Sequence, residues 1–310
     1  MDEQQNVSKV IENAARATGG DTPYMGALNL QLDTELGGSS SIHPTAIIEK
    51  GARIGANVVV GPYSVIHKNV ILEDNVVIKA HVYIDGYTTI GTGTTVWPGA
   101  VIGTKTQDLK YRGEKTFVTI GPECDIREFV TINSSCGEGT SVTIGRKCLI
   151  MAYCHVAHNS TVGDRVIMSN NATLAGHVTV EDAAIIGGLT AIHQFARVGR
   201  HAMVGGMSRV THDILPYTIG GGIPYRMGGI NLIGLRRHGF PFSTRKELAR
   251  AFKLVYRSGL TLVESLYRIE NELERIPEIQ HILDFCRGSK RGLIPDARCC
   301  ERQMSDESAE

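Results

Sequence analysis

The chain is poor in aromatic residues, at 6%, and has no net charge, with 32 basic residues against 32 acidic ones. Balanced charge exerts no general pull toward nucleic acid or an anionic membrane, so neither is expected as a partner. No apolar run reaches the roughly eighteen residues that a membrane-spanning helix needs, and no charged-then-apolar signal segment opens the chain. Of the seven cysteines none belongs to a CxxC pair. Cys124, Cys148 and Cys154 stand where small core residues belong, while Cys299 and Cys300 lie in a polar tail. Buried thiols in a reducing compartment are therefore expected, rather than disulfides or a metal site. No glycine run matches G-x-G-x-x-G or the P-loop; Gly187-Gly188, Gly205-Gly206 and Gly220 to Gly222 read as turn glycines.

Glycine itself is plentiful, at 35 residues, and it accompanies a period of six. Stepping from Ile42 to Val210 by six meets 29 positions, of which 26 are aliphatic or Met; the exceptions are Asp108, Glu114 and Glu138. A period of six suits neither an α-helix nor a lone alternating strand. It suits short strands joined by tight turns, three hexads making one triangular coil and coils stacking at roughly 4.8 Å. An all-β solenoid, a parallel β-helix, is thus expected over 41–215, with a flexible flank at 1–40. The period leaves the hand of winding open. Residues 103–119 (GTKTQDLKYRGEKTFVT) and 133–143 (NSSCGEGTSVT) abandon the grid and are expected as external loops, where sites are often built. A glycine-rich linker and a C-terminal α-helical domain are expected over 216–294, with a flexible tail at 295–310. Capping boxes at Thr244/Glu247 and Thr261/Glu264 would start two helices, and a third would run through Arg287.

In such a solenoid, residues eighteen apart share one column on successive coils. His158, Gly176 and Gln194 form one column, Asn159, His177 and Phe195 the next, with His155 and His193 beside them. A lone surface histidine is ordinarily decoration, as His43, His67, His81 and His201 are expected to be. Four histidines and a glutamine on one surface point to chemistry. A zinc site would need three or four converging ligands; the trimeric β-helix zinc hydratases pair histidines five apart, whereas His155 and His158 are three apart. The other reading is general base catalysis, an imidazole taking a proton from a hydroxyl. Between Gly234 and Gly259 stand seven Lys or Arg against the single acid Glu247, and Lys246, Arg250, Lys253 and Arg257 recur on one helical stripe. That stripe is either a solvated face or a dock for an acidic protein.

The segments TQDLKYRGE, AYCHVAHNSTVG, NNATLAGHVTV and IIGGLTAIHQFARVG, followed by YRSG and RGLI, resemble the UDP-N-acetylglucosamine O-acyltransferases over residues 41–294. The resemblance implies a left-handed β-helix, a homotrimer with sites between subunits, and no cofactor or metal. It further implies transfer of an (R)-3-hydroxyacyl group from acyl carrier protein to the glucosamine 3-hydroxyl of UDP-GlcNAc, which opens lipid A synthesis. By that likeness His158 is the general base, oriented by Asn159, and the Gly176 N–H faces the developing oxyanion. Gln107, Asp108, Lys110, His155, His177, His193, Gln194, Asn231 and Arg237 would contact the nucleotide sugar. Met203 and Gly206 would bound the acyl groove. Arg236, Arg237 and His238, with Lys246, Arg250, Lys253 and Arg257, would meet the carrier protein.

Two positions depart from the family pattern. Asn159 stands where Asp is usual, and Ile233 replaces an acid near the sugar site. An amide can orient an imidazole but adds no charge to raise its basicity. The rivals are the sibling that N-acylates a UDP-3-O-acyl-glucosamine, which also tends to have Asn after its base, and a scaffold without catalysis. Residues 1–40 hold six acids against Lys9 and Arg16, the wrong balance for a transit peptide. Their length nonetheless suits an organellar homologue stripped of its presequence, so mitochondrion or plastid is expected ahead of bacterial cytoplasm.

Overall fold

The computed structural model describes residues 38–295. From Ser41 the chain runs as two-residue strands separated by four-residue turns, beginning Ser41–Ile42, Ile47–Ile48 and Arg53–Ile54. Ser41 then pairs in parallel with Val59, eighteen residues on, so three strands complete a coil. A first face begins at Ser41–Ile42, a second at Ile47–Ile48 and a third at Arg53–Ile54; they hold 11, 9 and 8 strands. The first edge of this prism joins the first face to the second, the second edge joins second to third, and the third closes the coil.

The hexad explains the prism. Its grid aliphatic, such as Ile66, Ile84 or Ile102, points inward from a strand and is fully buried. Two residues earlier a smaller side chain turns in at the corner, as at Val58, Val76, Ala100, Cys124, Cys148 and Cys154. Those three cysteines are free and buried, as expected; Cys299 and Cys300 lie outside the described residues, as do the two expected flexible ends apart from residues 38–40 and 295. Burying one grid aliphatic is worth roughly 1.5–3 kcal/mol before entropy is subtracted. The corner also imposes a left-handed residue, Asn159 at φ 57°, His177 at 58° and Phe195 at 68° among many. Each costs roughly 1–2 kcal/mol, held in place by hydrogen bonds to the neighbouring coil.

Both interruptions are narrower than their polar composition suggests. Val101–Thr104 and Phe117–Ile120 are four-residue strands, and Thr131–Asn133 and Ser141–Ile144 flank the second interruption, leaving excursions at 105–116 and 134–140. Val118 and Val142 take the inward corner position that Val58 takes elsewhere, so the coil resumes before the polar run ends. Thr95 pairs with Asp125, thirty residues on, and Asp125 with Leu149, twenty-four on. The insertions thus amount to two hexads and one, which keeps the grid in phase.

The expected linker after Leu215 is instead a hairpin. Thr218–Gly221 joins the first face, and Arg226–Ile230 pairs antiparallel to it. Four helices follow: α1 (Leu232–Arg237), α2 (Phe242–Arg257), α3 (Leu262–Glu272) and α4 (Pro277–Arg287). The capping box at Thr261 and Glu264 forms. The one expected at Thr244 does not, because α2 starts earlier behind Pro241 and the buried Glu247 is taken by Arg250 at 2.8 Å. The short α1 escaped notice in the sequence; Asn231 caps it by accepting the Gly234 N–H.

Polar ties fasten the helices to the prism. Glu181 meets His281 of α4 at 2.8 Å and Arg197 at 3.4 Å. Arg197 also donates to the Phe285 carbonyl, and Ser289 to the buried Asp213. Burial would raise the Glu181 carboxyl, but the hydrogen bond and charge of His281, the Arg200 N–H and the Arg197 charge together hold it low.

At the third edge His201 packs among Tyr217, Phe240 and His238, with ring centroids 6.0, 5.0 and 4.8 Å away. Burial, then the charges of His238, Arg200 and Arg165, push its pKa down to about 4 from 6.5, against a smaller opposing pull from Asp182. The unfolded chain then binds a proton that the folded chain refuses, so stability falls as pH drops from 6.5 toward 4. The melting temperature is expected to decline through that window, and His201→Asn, which tolerates the same left-handed backbone, to flatten the decline. Parallel pH profiles for both proteins would show that this imidazole contributes nothing.

Candidate active site

Both excursions and the histidine columns leave the prism at one place. Residues 105–116 and 134–140 each connect the second face to the third, and so do the turns carrying His158, His177 and Gln194. The second edge is therefore where both excursions meet the histidine columns.

The column arithmetic holds. His177 N–H donates to the His158 carbonyl at 2.9 Å, and Phe195 N–H to that of Gly176 at 3.2 Å. His158 thus stands one coil from Gly176, and its imidazole leans over that residue so closely that a Cβ there would strike the ring at Cε1 and Nε2. The ring of His177 meets His158 edge-on at 5.2 Å and stacks on Phe195 at 4.7 Å. Only 11% of the His158 side chain is exposed.

The polar partners of that imidazole lie on opposite sides. Nδ1 is 2.9 Å from Asn159 Oδ1, and Nε2 is 3.6 Å from Asp108 Oδ2. Asp108 is held by its own loop: Lys110 N–H donates to Oδ1 at 2.8 Å, and Thr106 Oγ1 receives the Asp108 N–H. The Lys110 N–H keeps the carboxyl below its usual range against the opposing effect of desolvation, helped by the charges of His158, Lys110 and His177. Asp108 is therefore ionised across neutral pH.

Of the other expected residues, His155 projects from the second face and shares a 2.7 Å hydrogen bond with Thr131. Burial pushes its pKa down, so it is neutral. Burial and then the nearby His158 do the same to His177, against the pull of Asp108. His193 is exposed, with Nδ1 on the Gln194 carbonyl at 3.0 Å, and Gln194 is half-buried. Gln107 and Lys110 are exposed on the first excursion.

The remainder lie elsewhere on the chain. Met203 is on the first face, Gly206 at the first edge, and Asn231 is tied to the His201 carbonyl at the third. Both ends of the Asn231 amide are engaged within the chain, one of them capping α1. Arg236, Arg237 and His238 close α1, exposed, and Lys246, Arg250, Lys253 and Arg257 form an exposed stripe on α2. Arg250 is already bonded to Glu247 and to the Glu272 carbonyl. Among the described residues no three His, Cys, Asp or Glu side chains converge as metal ligands, and no helix is long and apolar enough to cross a membrane.

Sequence reasoning missed Cys136. Its N–H donates to Asn159 Oδ1 at 3.3 Å, and its carbonyl accepts from Asn159 Nδ2 at 3.0 Å. The only signal was its place in the second polar interruption.

Known proteins resemble this chain over most of its length. Residues 213–294 match the second domain of UDP N-acetylglucosamine O-acyltransferase, and 33–68 and 141–176 match the bacterial transferase hexapeptide. The acyl-[acyl-carrier-protein]–UDP-N-acetylglucosamine O-acyltransferase of Chlamydia caviae is 56% identical over 87% of this chain and 97% of its own length. That of Gloeothece citriformis is 45% identical over 64% of this chain and 74% of its own length. Among solved structures, LpxA from Acinetobacter baumannii is 37% identical with a TM-score of 0.80, covering 82% of this chain and 99% of that one. UDP-N-acetylglucosamine acyltransferase of Arabidopsis is 32% identical with a TM-score of 0.71, covering 81% and 99%. With this likeness the winding left open by the period is settled as left-handed.

Gly176→Ala is expected to drive the His158 ring off its position beside Asp108. Its ring resonances should shift while circular dichroism stays that of the parent; unmoved resonances would show that the edge has room for a methyl group.

Proposed function

The chain belongs to the UDP-N-acetylglucosamine O-acyltransferase family, and we propose that it moves an (R)-3-hydroxyacyl group from acyl carrier protein to the glucosamine 3-hydroxyl of UDP-GlcNAc, with His158 as general base. The observation that carries this reading is the imidazole held at Nδ1 by Asn159, with Nε2 turned toward Asp108 above a glycine. Nε2 takes the proton of the sugar 3-hydroxyl as its oxygen attacks the thioester carbonyl. Gly176 leaves room for the tetrahedral intermediate, and its N–H is the candidate donor to the oxyanion. As that intermediate collapses the carrier thiolate leaves, and the imidazolium returns the proton to it. Asp108, ionised and 3.6 Å from Nε2, is suited to hold a sugar hydroxyl at that nitrogen. Gln107, Lys110, His155, His177, His193 and Gln194 complete the sugar-nucleotide contacts in this reading.

A homotrimer would supply the remainder. Met203, Gly206, Asn231 and Arg237 lie away from the edge that carries His158, so in this reading they serve the site of a neighbouring protomer. Support comes from the first edge, where Tyr63, Phe129, Tyr153, Leu189 and Met207 are each more than half exposed, a row of large apolar side chains of the kind that marks an interface. The acidic carrier protein is assigned to Arg236, Arg237, His238, Lys246, Lys253 and Arg257, with Arg250 contributing less because Glu247 neutralises it. The N-acylating sibling and the scaffold reading gain nothing from relatives that are named O-acyltransferases. An organelle gains nothing either: the relatives at 45–58% identity are bacterial, whereas the plant enzyme is 32% identical. A bacterial cytoplasm is the better reading.

Purified protein given UDP-GlcNAc and 3-hydroxyacyl carrier protein tests the assignment. His158→Ala is expected to lower turnover by about 10²–10⁴-fold while sedimenting as three chains, like the parent; more than a tenth of parental turnover would remove His158 as the base. Gly206→Met is expected to fill the far end of the acyl groove and shift preference to shorter donors. An unchanged donor profile in the folded variant would place the ruler elsewhere.

A further inference from the structure

The Asn159 carboxamide has three partners, and together they leave it one orientation. Oδ1 accepts the Cys136 N–H and lies 2.9 Å from His158 Nδ1, while Nδ2 donates to the Cys136 carbonyl at 3.0 Å. Turning the amide over would set N–H against N–H and oxygen against oxygen across the same peptide, at about 1–3 kcal/mol for each group left without its partner. With Oδ1 so fixed, and an amide oxygen able only to accept, His158 Nδ1 must carry the ring proton. Nε2 is then left with its lone pair, on the side of Asp108.

The loop that provides this peptide is itself braced. Thr140 Oγ1 lies 2.8 Å from Ser135 Oγ, 3.0 Å from the Cys136 carbonyl and 2.7 Å from that of Gly137, and Ser135 is fully buried. Burial, then the carboxylates of Asp108 and Glu114, hold the Cys136 thiol above its usual range, so it stays neutral. One short, braced excursion thus holds the Asn159 amide against the imidazole.

We propose that loop 134–140 positions the base: the Cys136 peptide, acting through Asn159, selects the Nδ1–H tautomer of His158 and leaves Nε2 free to accept a proton. Its consequence for rate rests on His158 being the base, but the tautomer is a property of the resting protein. The proposal also accounts for asparagine where a carboxylate is usual. A carboxylate would still accept from Nδ1–H and from the Cys136 N–H, yet its second oxygen would face the Cys136 carbonyl where Nδ2 now donates. Asn159 lacks a charge because its loop needs an N–H there.

Long-range proton–nitrogen spectra of histidine-labelled protein, above the pH of imidazole titration, report the tautomer, with His158→Gln identifying the signal. The parent is expected as Nδ1–H. Asn159→Gly keeps the left-handed backbone at φ 57° without the amide, and Thr140→Val removes the brace. Both are expected to move His158 toward the Nε2–H form. Asn159→Gly should lower kcat by about 10²-fold or more, Thr140→Val by less, each with KM for UDP-GlcNAc within about threefold, and Thr140→Ser should recover both readouts. An Nε2–H form in the parent, or a tautomer unmoved in whichever of the two variants folds, overturns the proposal. Full activity in His158→Ala beside an Nδ1–H parent would instead sink the base assignment and leave the loop's role standing.

Discussion

Everything at the second edge depends on the parallel backbone ladder that ties each coil to the next. Strands of two residues have no stability of their own. They persist because each pairs above and below while its grid aliphatic joins a continuous core. The ladder fixes the rise at one interstrand spacing, so the separation of His158 from Gly176 and of His177 from Phe195 is not adjustable. A site on these turns inherits the rigidity of the sheets, which is the preorganisation that proton transfer and oxyanion stabilisation demand.

Against that rigidity the two excursions supply the irregular part. They leave by the edge that carries the histidines, so loop atoms meet turn atoms without a change in the coil. Asp108 comes to Nε2 from the first excursion and Cys136 to Asn159 from the second, on opposite sides of one imidazole. The prism sets where the ring stands, and the loops set what its two nitrogens meet.

Much of this was legible. A strict period converts spacing in sequence into spacing in space, so the columns of His158, Gly176 and Gln194 and of Asn159, His177 and Phe195 follow from counting alone. What was not legible acts through the backbone or over long range. Cys136 holds Asn159 with its peptide, and no side-chain pattern announces that. The run at 216–229 looked like a linker because glycines that join a sheet edge read the same as glycines in a loop. Thr244 and Glu247 satisfy a local capping rule, yet Glu247 found Arg250 and the helix began at Pro241. Asn231, assigned to the nucleotide sugar through the resemblance alone, also caps a helix too short to be read from the sequence.

The hairpin at the end of the first face has a consequence for assembly. A solenoid left open ends in rows of unpaired N–H and C=O groups, the template on which identical ladders stack end to end into fibres. Here Arg226–Ile230 turns back antiparallel on the last strand of the first face, and Ile294 closes on Asp213 beside the third. Head-to-tail growth requires two matching ends, and at the helical end the regular parallel ladder is broken on the first and third faces. The break works against a second copy continuing the ladder along the prism axis.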